Sequence, residues 1–268
     1  MPHLPPFLAR FAAAVLMLAL SACASNPRAV PDPRDPYEPF NRAMYNFNES
    51  LDRVVLKPLA TGYEMITPEP VNRAITNFFG NLDDTVVIFQ DLLQGKPAYA
   101  VQNLARVVYN TVFGLLGTID VATHMDAPKR YEDFGQTFAV WGIPPGPYLV
   151  LPLIGPSGGR DGVGAVLDSM ANPVGLLNSS NQRIGMTVVR IVDRRADLLG
   201  AERVFTAAAL DPYGFAREAY LQRRLNLIYD GEPPLPALDE LDQLDELDPL
   251  EDEDEEGSVD DLPLAGGN

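Results

Sequence analysis

The chain has 268 residues, 46% of them hydrophobic, which is enough for a folded domain with a buried core and excludes a disordered or fibrous protein. Its formal charge of −17 is uneven: residues 232–268 hold 15 of the 37 acidic side chains and no Lys or Arg, so the preceding part is nearly neutral. Without a concentrated basic surface, nucleic acid is not an expected partner. One cysteine and two histidines, Cys23, His3 and His124, cannot supply an internal disulfide or a zinc cage, so we expect no metal and no cofactor.

The amino end predicts an exported protein. Arg10 precedes an apolar run at residues 11–20 that is too short to span a bilayer, so residues 1–22 are interpreted as a cleaved signal peptide. Leu20-Ser21-Ala22-Cys23 resembles the bacterial lipobox, which implies lipidation of Cys23. Ala24, in place of Asp, favours sorting to the outer membrane. Residues 23–34 are rich in Pro, Asn and Ser and are predicted to be a lipidated tether.

Helical periodicity follows the tether. Apolar residues recur at steps of three or four from Phe40 to Val55, which predicts a helix that bends or stops at Lys57-Pro58. Further helices are predicted from about Pro68 to Phe79, from Thr85 to Leu93 and from Ala98 to Phe113. Gly95-Lys96-Pro97 is a typical stop between the last two.

The middle of the chain, residues 135–164, is dense in Gly and Pro and cannot form a long helix. Leu149 to Leu153 could form a short extended segment. Helices are predicted again at Val163–Met170, Gln182–Leu199 and Asp211–Tyr229, the last with Asp211 as N-cap and Pro212 in the first turn. Residues 232–268 are predicted to be a disordered acidic tail. Its carboxylates are interpreted as increasing solubility, and the alternative is that they attract a basic partner.

Two predicted helical stretches are unusually apolar, at Thr85–Leu93 and Val107–Ile119. No segment after Cys23 reaches the roughly 18 apolar residues of a spanning helix. Periodicity alone favours burial of these stretches in a globular core. The alternative is a position in a membrane interface with apolar faces toward lipid, and a lipid anchor favours that alternative.

Motifs for catalysis are weak. Gly155-Pro156-Ser157-Gly158-Gly159 matches G-x-S-x-G, but no His follows position 124, so a turn is the better interpretation. No P-loop is present. The adjacent carboxylates Asp83 and Asp84 do not face each other on a helix and are interpreted as a solvated helix start. Arg160-Asp161 and Arg217-Glu218 are candidate structural ion pairs, and we do not expect an enzyme.

Several stretches together resemble the MlaA (VacJ) family of outer-membrane lipoproteins, over residues 35–231. They are Asp35–Asn48, Tyr109-Asn110-Thr111, Phe134-Gly135-Gln136-Thr137, Gly146-Pro147-Tyr148, Leu151-Pro152, Asp211-Pro212-Tyr213 and Arg217-Glu218-Ala219-Tyr220. The resemblance implies an all-α, ring-like arrangement of short amphipathic helices with a Gly/Pro-rich central loop region, embedded in one leaflet. It also implies a lipid-anchored protein on the periplasmic side of the outer membrane with a porin trimer as neighbour. Mislocalised phospholipid would cross its amphipathic channel to a periplasmic lipid-carrier protein, which maintains lipid asymmetry.

Four residues are candidates for the channel and its gate. Asn46 and Phe47 lie on the opening helix, where the resemblance is densest, although Phe47 could also serve ordinary helix packing. Gly142 and Gly146, among prolines, are candidates for a hinge beside the channel. The alternative function is a structural envelope lipoprotein that braces porins without moving lipid.

Overall fold

The computed structural model describes residues 32–202 and 210–234. Internal contacts divide the chain into Met1–Gly231 and Glu232–Asn268, and the fold described below is that of the first unit. The predicted signal peptide, Cys23 and most of the tether lie outside the described residues, as does nearly all of the predicted acidic tail.

The described part is predominantly helical, as predicted. Its labelled helices are α1 (Glu38–Leu51), α2 (Lys57–Ile66), α3 (Glu69–Leu93), α4 (Pro97–Val112), α5 (Phe134–Val140), α6 (Gly159–Ala171), α7 (Ser180–Asp197) and α8 (Pro212–Ile228). Two short strands, β1 (Tyr148–Leu151) and β2 (Gly155–Gly158), pair antiparallel, with Tyr148 opposite Gly158. Across residues 32–202 and 210–234, none of the helices combines the length and the apolar character needed to span a membrane.

The first predicted helix was expected to bend or stop at Lys57-Pro58, and it does not stop there. A π-helical turn at Asp52–Leu56 joins α1 to α2, and the Lys57 N–H donates to the Asp52 carbonyl five residues back. A proline in a regular helix loses a hydrogen bond and collides with the carbonyl four residues before it. The wider turn immediately before Pro58 therefore lets the chain remain helical.

The predicted break between Phe79 and Thr85 is also absent, because α3 runs through it as one helix of 25 residues. Tertiary hydrogen bonds hold the weak helix formers in this stretch, for example Asn81 Nδ2 to Thr111 Oγ1 at 3.0 Å. The predicted stop is confirmed. Gly95 has φ +73° and the Lys96 N–H reaches the Asp91 carbonyl at 2.8 Å, closing the helix end.

Helix α4 exposes its apolar face and buries its polar face. Val101 and Val112 are 67% and 64% exposed, and Leu104 and Val108 on the same stripe are exposed as well. The buried side chains are Ala100, Asn103, Arg106 and Asn110. Phe89, Leu92 and Leu93 at the end of α3 are likewise exposed, and so are Phe113, Leu115, Leu116 and Ile119 after α4. Burial of these apolar stretches in a core was therefore the wrong expectation.

A buried polar layer, formed by Asp84, Asp91, Asn103 and Arg106, joins α3 to α4. Arg106 is 1% exposed, and its guanidinium lies 3.3 Å from Asp84 and 3.2 Å from Asp120. Lys129 also pairs with Asp84, and Asn103 Nδ2 donates to Asp91 at 2.6 Å. Asp84 is thus a buried ion-pair partner in the middle of a helix, which corrects the interpretation of Asp83-Asp84 as a solvated helix start.

Two asparagines of α1 form hydrogen bonds with the β1–β2 hairpin. Asn41 donates to the Tyr148 carbonyl at 3.0 Å and accepts from the Val150 N–H at 2.8 Å. Asn48, seven residues later on the same helix face, makes the equivalent pair of bonds with the backbone of Leu151 and Leu153 at 2.9 and 2.8 Å. The hairpin and α1 therefore behave as one packed body.

Helix α8 begins beside the first described residues. The Asp211 carboxylate caps it by accepting from the Tyr213 N–H at 3.2 Å, which confirms the predicted start. The buried Asp35 carboxylate accepts from the Tyr213 hydroxyl and from Arg217 at 3.3 Å. These contacts hold the carboxyl-terminal helix against the segment that follows the predicted tether.

Two glycines bring α5 and α6 into backbone contact. A Cβ built on Gly164 would lie 2.5 Å from the Gly135 nitrogen and 2.9 Å from its Cα. By contrast, a Cβ at Gly185 on α7 would meet nothing within 4 Å.

The same Gly→Ala substitution should therefore have opposite effects at these sites. Gly164→Ala forces two backbones apart and should lower the free energy of unfolding by about 1–3 kcal/mol. Gly185→Ala removes a helix-destabilising glycine and should raise it by about 0.5–1 kcal/mol. Urea denaturation of both proteins in detergent micelles, followed by circular dichroism, measures the difference. Equal effects would contradict the close packing of α5 on α6.

Candidate functional site

A cavity of about 650 Å³ lies between α3, α6, α7, α8 and the segment before α5. This volume is within the usual range of ligand sites. Helix α7 presents Arg183, Thr187, Arg190, Ile191 and Arg194 to it, and α8 presents Tyr220, Arg223, Arg224 and Leu227. Each set recurs at steps of three or four, so one face of each helix forms a wall.

Cations outnumber anions in the cavity lining. The seven basic residues are Lys129, Arg130, Arg183, Arg190, Arg194, Arg223 and Arg224, and the four acidic residues are Asp83, Glu132, Asp133 and Asp168. Val86, Val87, Val174 and Ile191 add apolar surface. Arginine binds phosphate and carboxylate oxygens through paired N–H donors, so the lining suits an anionic group attached to an apolar body.

Ion pairs between neighbouring elements fix two parts of the wall. Arg190 of α7 donates to both oxygens of Asp83 on α3 at 2.7 Å, and Arg194 reaches the same carboxylate at 3.1 Å. Arg224 of α8 donates to both oxygens of Asp133 at 2.6 and 2.7 Å. Asp133 also caps α5 by accepting from the Gln136 N–H at 2.8 Å, so α8 is held at the start of α5.

These contacts shift the pKa values of the wall residues. Burial acts to raise the pKa of Asp133, but the hydrogen bonds and charge of Arg224 hold it below the ordinary value. Partial loss of contact with water, followed by the charge of Arg190, lowers the pKa of the Arg194 guanidinium. The Arg194 side chain is still 63% exposed, so a ligand can reach it. An anion placed beside Arg194 would relieve that repulsion.

Three charged groups in the lining have no ion-pair partner among residues 32–202 and 210–234. Arg183 contacts only the Ser180 hydroxyl, at 3.1 Å, and Arg223 is exposed. Asp168 of α6 is half-buried and accepts from the Phe134 N–H at 3.1 Å. Burial, followed by the nearby charge of Asp133, raises the pKa of Asp168 to about 7. These groups are the ones available to a ligand.

The four residues that the sequence singled out do not line this cavity. Asn46 and Phe47 lie on α1, both exposed, with Phe47 at 43%. Gly142 and Gly146 lie together in the loop between α5 and β1, with φ of +85° and +67°. Only glycine adopts such backbone angles without strain.

A chain of side chains connects that loop to the cavity wall. Arg160 donates to the Ile143 carbonyl at 3.3 Å and to Asp161 at 2.9 Å. Asp161 accepts in turn from Arg224 at 3.0 Å. The predicted pairs Arg160-Asp161 and Arg217-Glu218 are therefore both present, the second at 3.2 Å.

The cavity arginines were missed as a set. Their signal in the sequence is the spacing of Arg183, Arg190 and Arg194, which places three guanidiniums on one face of α7. The catalytic alternative gains no support from the geometry of Ser157. That residue is buried in β2, where its hydroxyl contacts the Gly158 carbonyl at 3.4 Å.

Neighbouring arginines on α8 provide a matched test of the wall. Arg224→Ala leaves Asp133 without its bidentate partner and should lower the free energy of unfolding at pH 7 by about 2–3 kcal/mol. Arg223→Ala should change it by less than about 0.5 kcal/mol. The pKa of Asp133 is depressed, so its stabilisation is present above the ordinary value near 3.8 and disappears as the pH falls through the lower folded value.

Urea denaturation at pH 7 and again at pH 2.5 measures both effects. The difference between Arg224→Ala and the unsubstituted protein should shrink at the lower pH. A difference of the same size at both pH values would exclude the Asp133 pair as its cause.

The comparisons with known proteins cover most of the chain. The sequence profile described as MlaA lipoprotein matches residues 33–227. The chain is 34% identical over 218 residues to the intermembrane phospholipid transport system lipoprotein MlaA of Escherichia coli K12, covering 80% of this chain and 86% of that protein. The protein of the same name from Haemophilus influenzae is 32% identical over 229 residues, covering 80% and 88%.

The fold agrees with these relationships. A solved structure from work on the structural basis for maintenance of bacterial outer membrane lipid asymmetry superposes with a TM-score of 0.63 at 31% identity. The match covers 74% of this chain and 99% of the other. The chain belongs to the MlaA lipoprotein family.

Proposed function

We propose that this protein removes mislocalised phospholipid from the outer leaflet of the outer membrane and passes it through the arginine-lined cavity to a periplasmic carrier, so that lipid asymmetry is maintained. The names of the relatives, which refer to intermembrane phospholipid transport, support this function. The observation that carries it is the cavity itself. It places uncommitted cations next to apolar side chains, inside a body that exposes apolar surface.

Such a protein has to keep the acyl tails of the lipid away from water. Moving about 30 methylenes of a two-tailed lipid through water would cost roughly 25 kcal/mol at about 0.8 kcal/mol each. A conduit that offers apolar walls to the tails and guanidiniums to the phosphate removes most of that cost. No bond in the lipid has to break, so the proposed function is transport and not catalysis.

The exposed apolar faces support a position among acyl chains. Val101, Val112, Phe89, Leu115 and Leu116 are each more than half exposed. In water an apolar surface of this size would promote aggregation, whereas lipid tails solvate it. We place these faces in one leaflet, because α3 and α4 are amphipathic helices of the kind that lie in a membrane interface.

Attachment to the membrane is assigned to Cys23. Diacylglycerol on its thiol, with the further acyl chain of a mature lipoprotein, gives a stable anchor where a single chain would bind only marginally. Ala24 favours the outer membrane. In this arrangement the body lies on the periplasmic side, with a porin trimer as its neighbour and a soluble lipid carrier as the recipient.

The Gly142–Gly146 loop is proposed as the gate of the conduit. Its two positive-φ glycines provide the backbone freedom, and Arg160 and Asp161 connect it to Arg224 in the wall. Asn46 and Phe47 are proposed to act from α1, which is fastened to the hairpin that follows the loop. Movement of the loop would thus be transmitted to both the cavity and α1.

Filling the cavity should abolish lipid binding. Thr187→Trp places an indole inside the lining, whereas Val189→Trp places one on the exposed surface of the same helix. Native mass spectrometry of the full-length lipoprotein purified in mild detergent should find glycerophospholipid bound to the unsubstituted and Val189→Trp proteins, with at least a tenfold lower occupancy in Thr187→Trp.

Other outcomes identify the rival functions. If only the covalent anchor is found in every variant, the protein is a structural lipoprotein that braces porins. Release of lysolipid on incubation with labelled phospholipid would instead indicate a phospholipase.

A reversible crosslink tests the gate. A Cβ on Gly146 would lie 3.4 Å from the Gly159 Cα, so Gly146→Cys with Gly159→Cys brings two thiols close enough for a disulfide between the loop and α6. Cysteine at φ +67° is strained, and the Gly146→Cys single variant measures the effect of that strain alone. Cys23 is the single native cysteine and its sulfur is occupied in the anchored protein. We expect the oxidised double variant to accumulate outer-leaflet phospholipid in cells.

The amount of outer-leaflet phosphatidylethanolamine that a membrane-impermeant amine reagent labels measures this accumulation. Each single variant, and the double variant after reduction with dithiothreitol, serves as a control. Normal labelling in the oxidised double variant would remove the loop from the gating mechanism.

A further inference from the structure

One carboxylate in the cavity lining, that of Asp168, forms no ion pair with a described residue. Among the described residues, Asp83 is paired with Arg190, Asp133 with Arg224, and Glu132 with Lys96 and Arg130. Asp168 has no ion pair there, and its polar contact is the Phe134 N–H. An acceptor of this kind, in a lining that also holds uncommitted arginines, has the chemistry to bind a ligand carrying both charges.

We propose that Asp168 binds the ammonium group of a zwitterionic phospholipid headgroup while the arginines of α7 and α8 hold the phosphate, so that the cavity prefers phosphatidylethanolamine to phosphatidylglycerol. This inference rests on the proposed function. It assigns a headgroup class to the same site and a specificity-determining role to one residue.

Three guanidiniums of the cavity lining are available to the phosphate of the headgroup. Arg183 and Arg223 have no carboxylate partner within the described ranges, and Arg194 shares Asp83 with Arg190. A phosphodiester is the anion that such a set binds well, through paired and charge-assisted hydrogen bonds. Phosphate alone does not discriminate, because phosphatidylethanolamine and phosphatidylglycerol both carry it.

Discrimination therefore depends on the second charge. The charged groups that act on Asp168 are Asp133 at the start of α5, Asp83 on α3 and Arg224 on α8. Arg224 is already bound to two carboxylates, Asp133 and Asp161. The surroundings of Asp168 thus favour an incoming cation, and the glycerol hydroxyls of phosphatidylglycerol would leave this position without one.

The titration of Asp168 makes the preference depend on pH. Its carboxyl is half-buried, and burial raises its pKa to about 7. The carboxylate form binds ammonium, so the preference should be weak at pH 5.5 and strong at pH 8.5. An ammonium held against the carboxylate lowers the pKa, which means that binding near neutral pH releases a proton.

The test uses the full-length lipoprotein in detergent micelles with equal amounts of dioleoyl-phosphatidylethanolamine and dioleoyl-phosphatidylglycerol. Native mass spectrometry measures the ratio of the two bound lipids at pH 5.5, 7 and 8.5. Asp168→Asn keeps an oxygen for the Phe134 N–H and removes the charge. Glu64→Gln, which removes an exposed carboxylate of α2 outside the cavity lining, is the matched control.

We expect the ratio in the unsubstituted protein and in Glu64→Gln to favour phosphatidylethanolamine and to rise about tenfold from pH 5.5 to pH 8.5. In Asp168→Asn the ratio should be low and independent of pH. An equal ratio in the unsubstituted protein, or an unchanged pH profile in Asp168→Asn, would overturn the assignment while leaving lipid transport intact. If neither lipid binds to any variant, the proposed function fails and this inference with it.

Discussion

The buried ion pair between Arg106 and Asp84 is the contact on which the arrangement of α3 and α4 depends. A guanidinium with 1% of its surface exposed must be matched by carboxylates and carbonyls, because an unpaired buried charge costs several kcal/mol. Asp84, Asp120 and the Ala127 carbonyl supply that match from three parts of the chain. Since the polar faces of the two helices are turned toward each other, many of their apolar side chains, such as Phe89, Val101 and Val112, are left outside. In a water-soluble helix pair the apolar faces are buried and the polar faces are exposed, and in α3 and α4 much of this arrangement is the opposite. Such an exposed apolar surface suits contact with lipid tails.

The same residue types form the wall of the cavity by a related principle. Arg224 holds the two oxygens of Asp133 through two nitrogens, and Arg190 holds both oxygens of Asp83 through one, so these charges are positioned before any ligand enters. Preorganised charges of this kind lower the cost of receiving a headgroup, because the protein does not have to reorganise. The loop with two glycines, which we propose as the gate, is joined to the wall through Arg160 and Asp161.

The features that the sequence predicted well are local ones. The Gly95 stop and the Asp211-Pro212 start each depend on a few adjacent residues, and both are found where they were expected. The continuity of α3 depends instead on partners far along the chain, such as Lys129 for Asp84, and no local pattern contains that information. Periodicity identified the apolar stripe of α4 correctly but could not tell on which side the solvent would lie. The spacing of Arg183, Arg190 and Arg194 is likewise local to α7, but their meeting with Arg223 and Arg224 of α8 depends on tertiary packing and could not be predicted.

Asp35 is bound by Tyr213 and Arg217, so the chain emerges next to the first turns of α8. Asp35 lies twelve positions after Cys23, and a fully stretched polypeptide of that length reaches about 40 Å. Acyl chains on Cys23, as proposed above, would therefore keep the amino-terminal end of α8 within that distance of the bilayer surface. An anchored protein of this kind could rotate toward a soluble recipient but could not accompany the lipid away from the membrane.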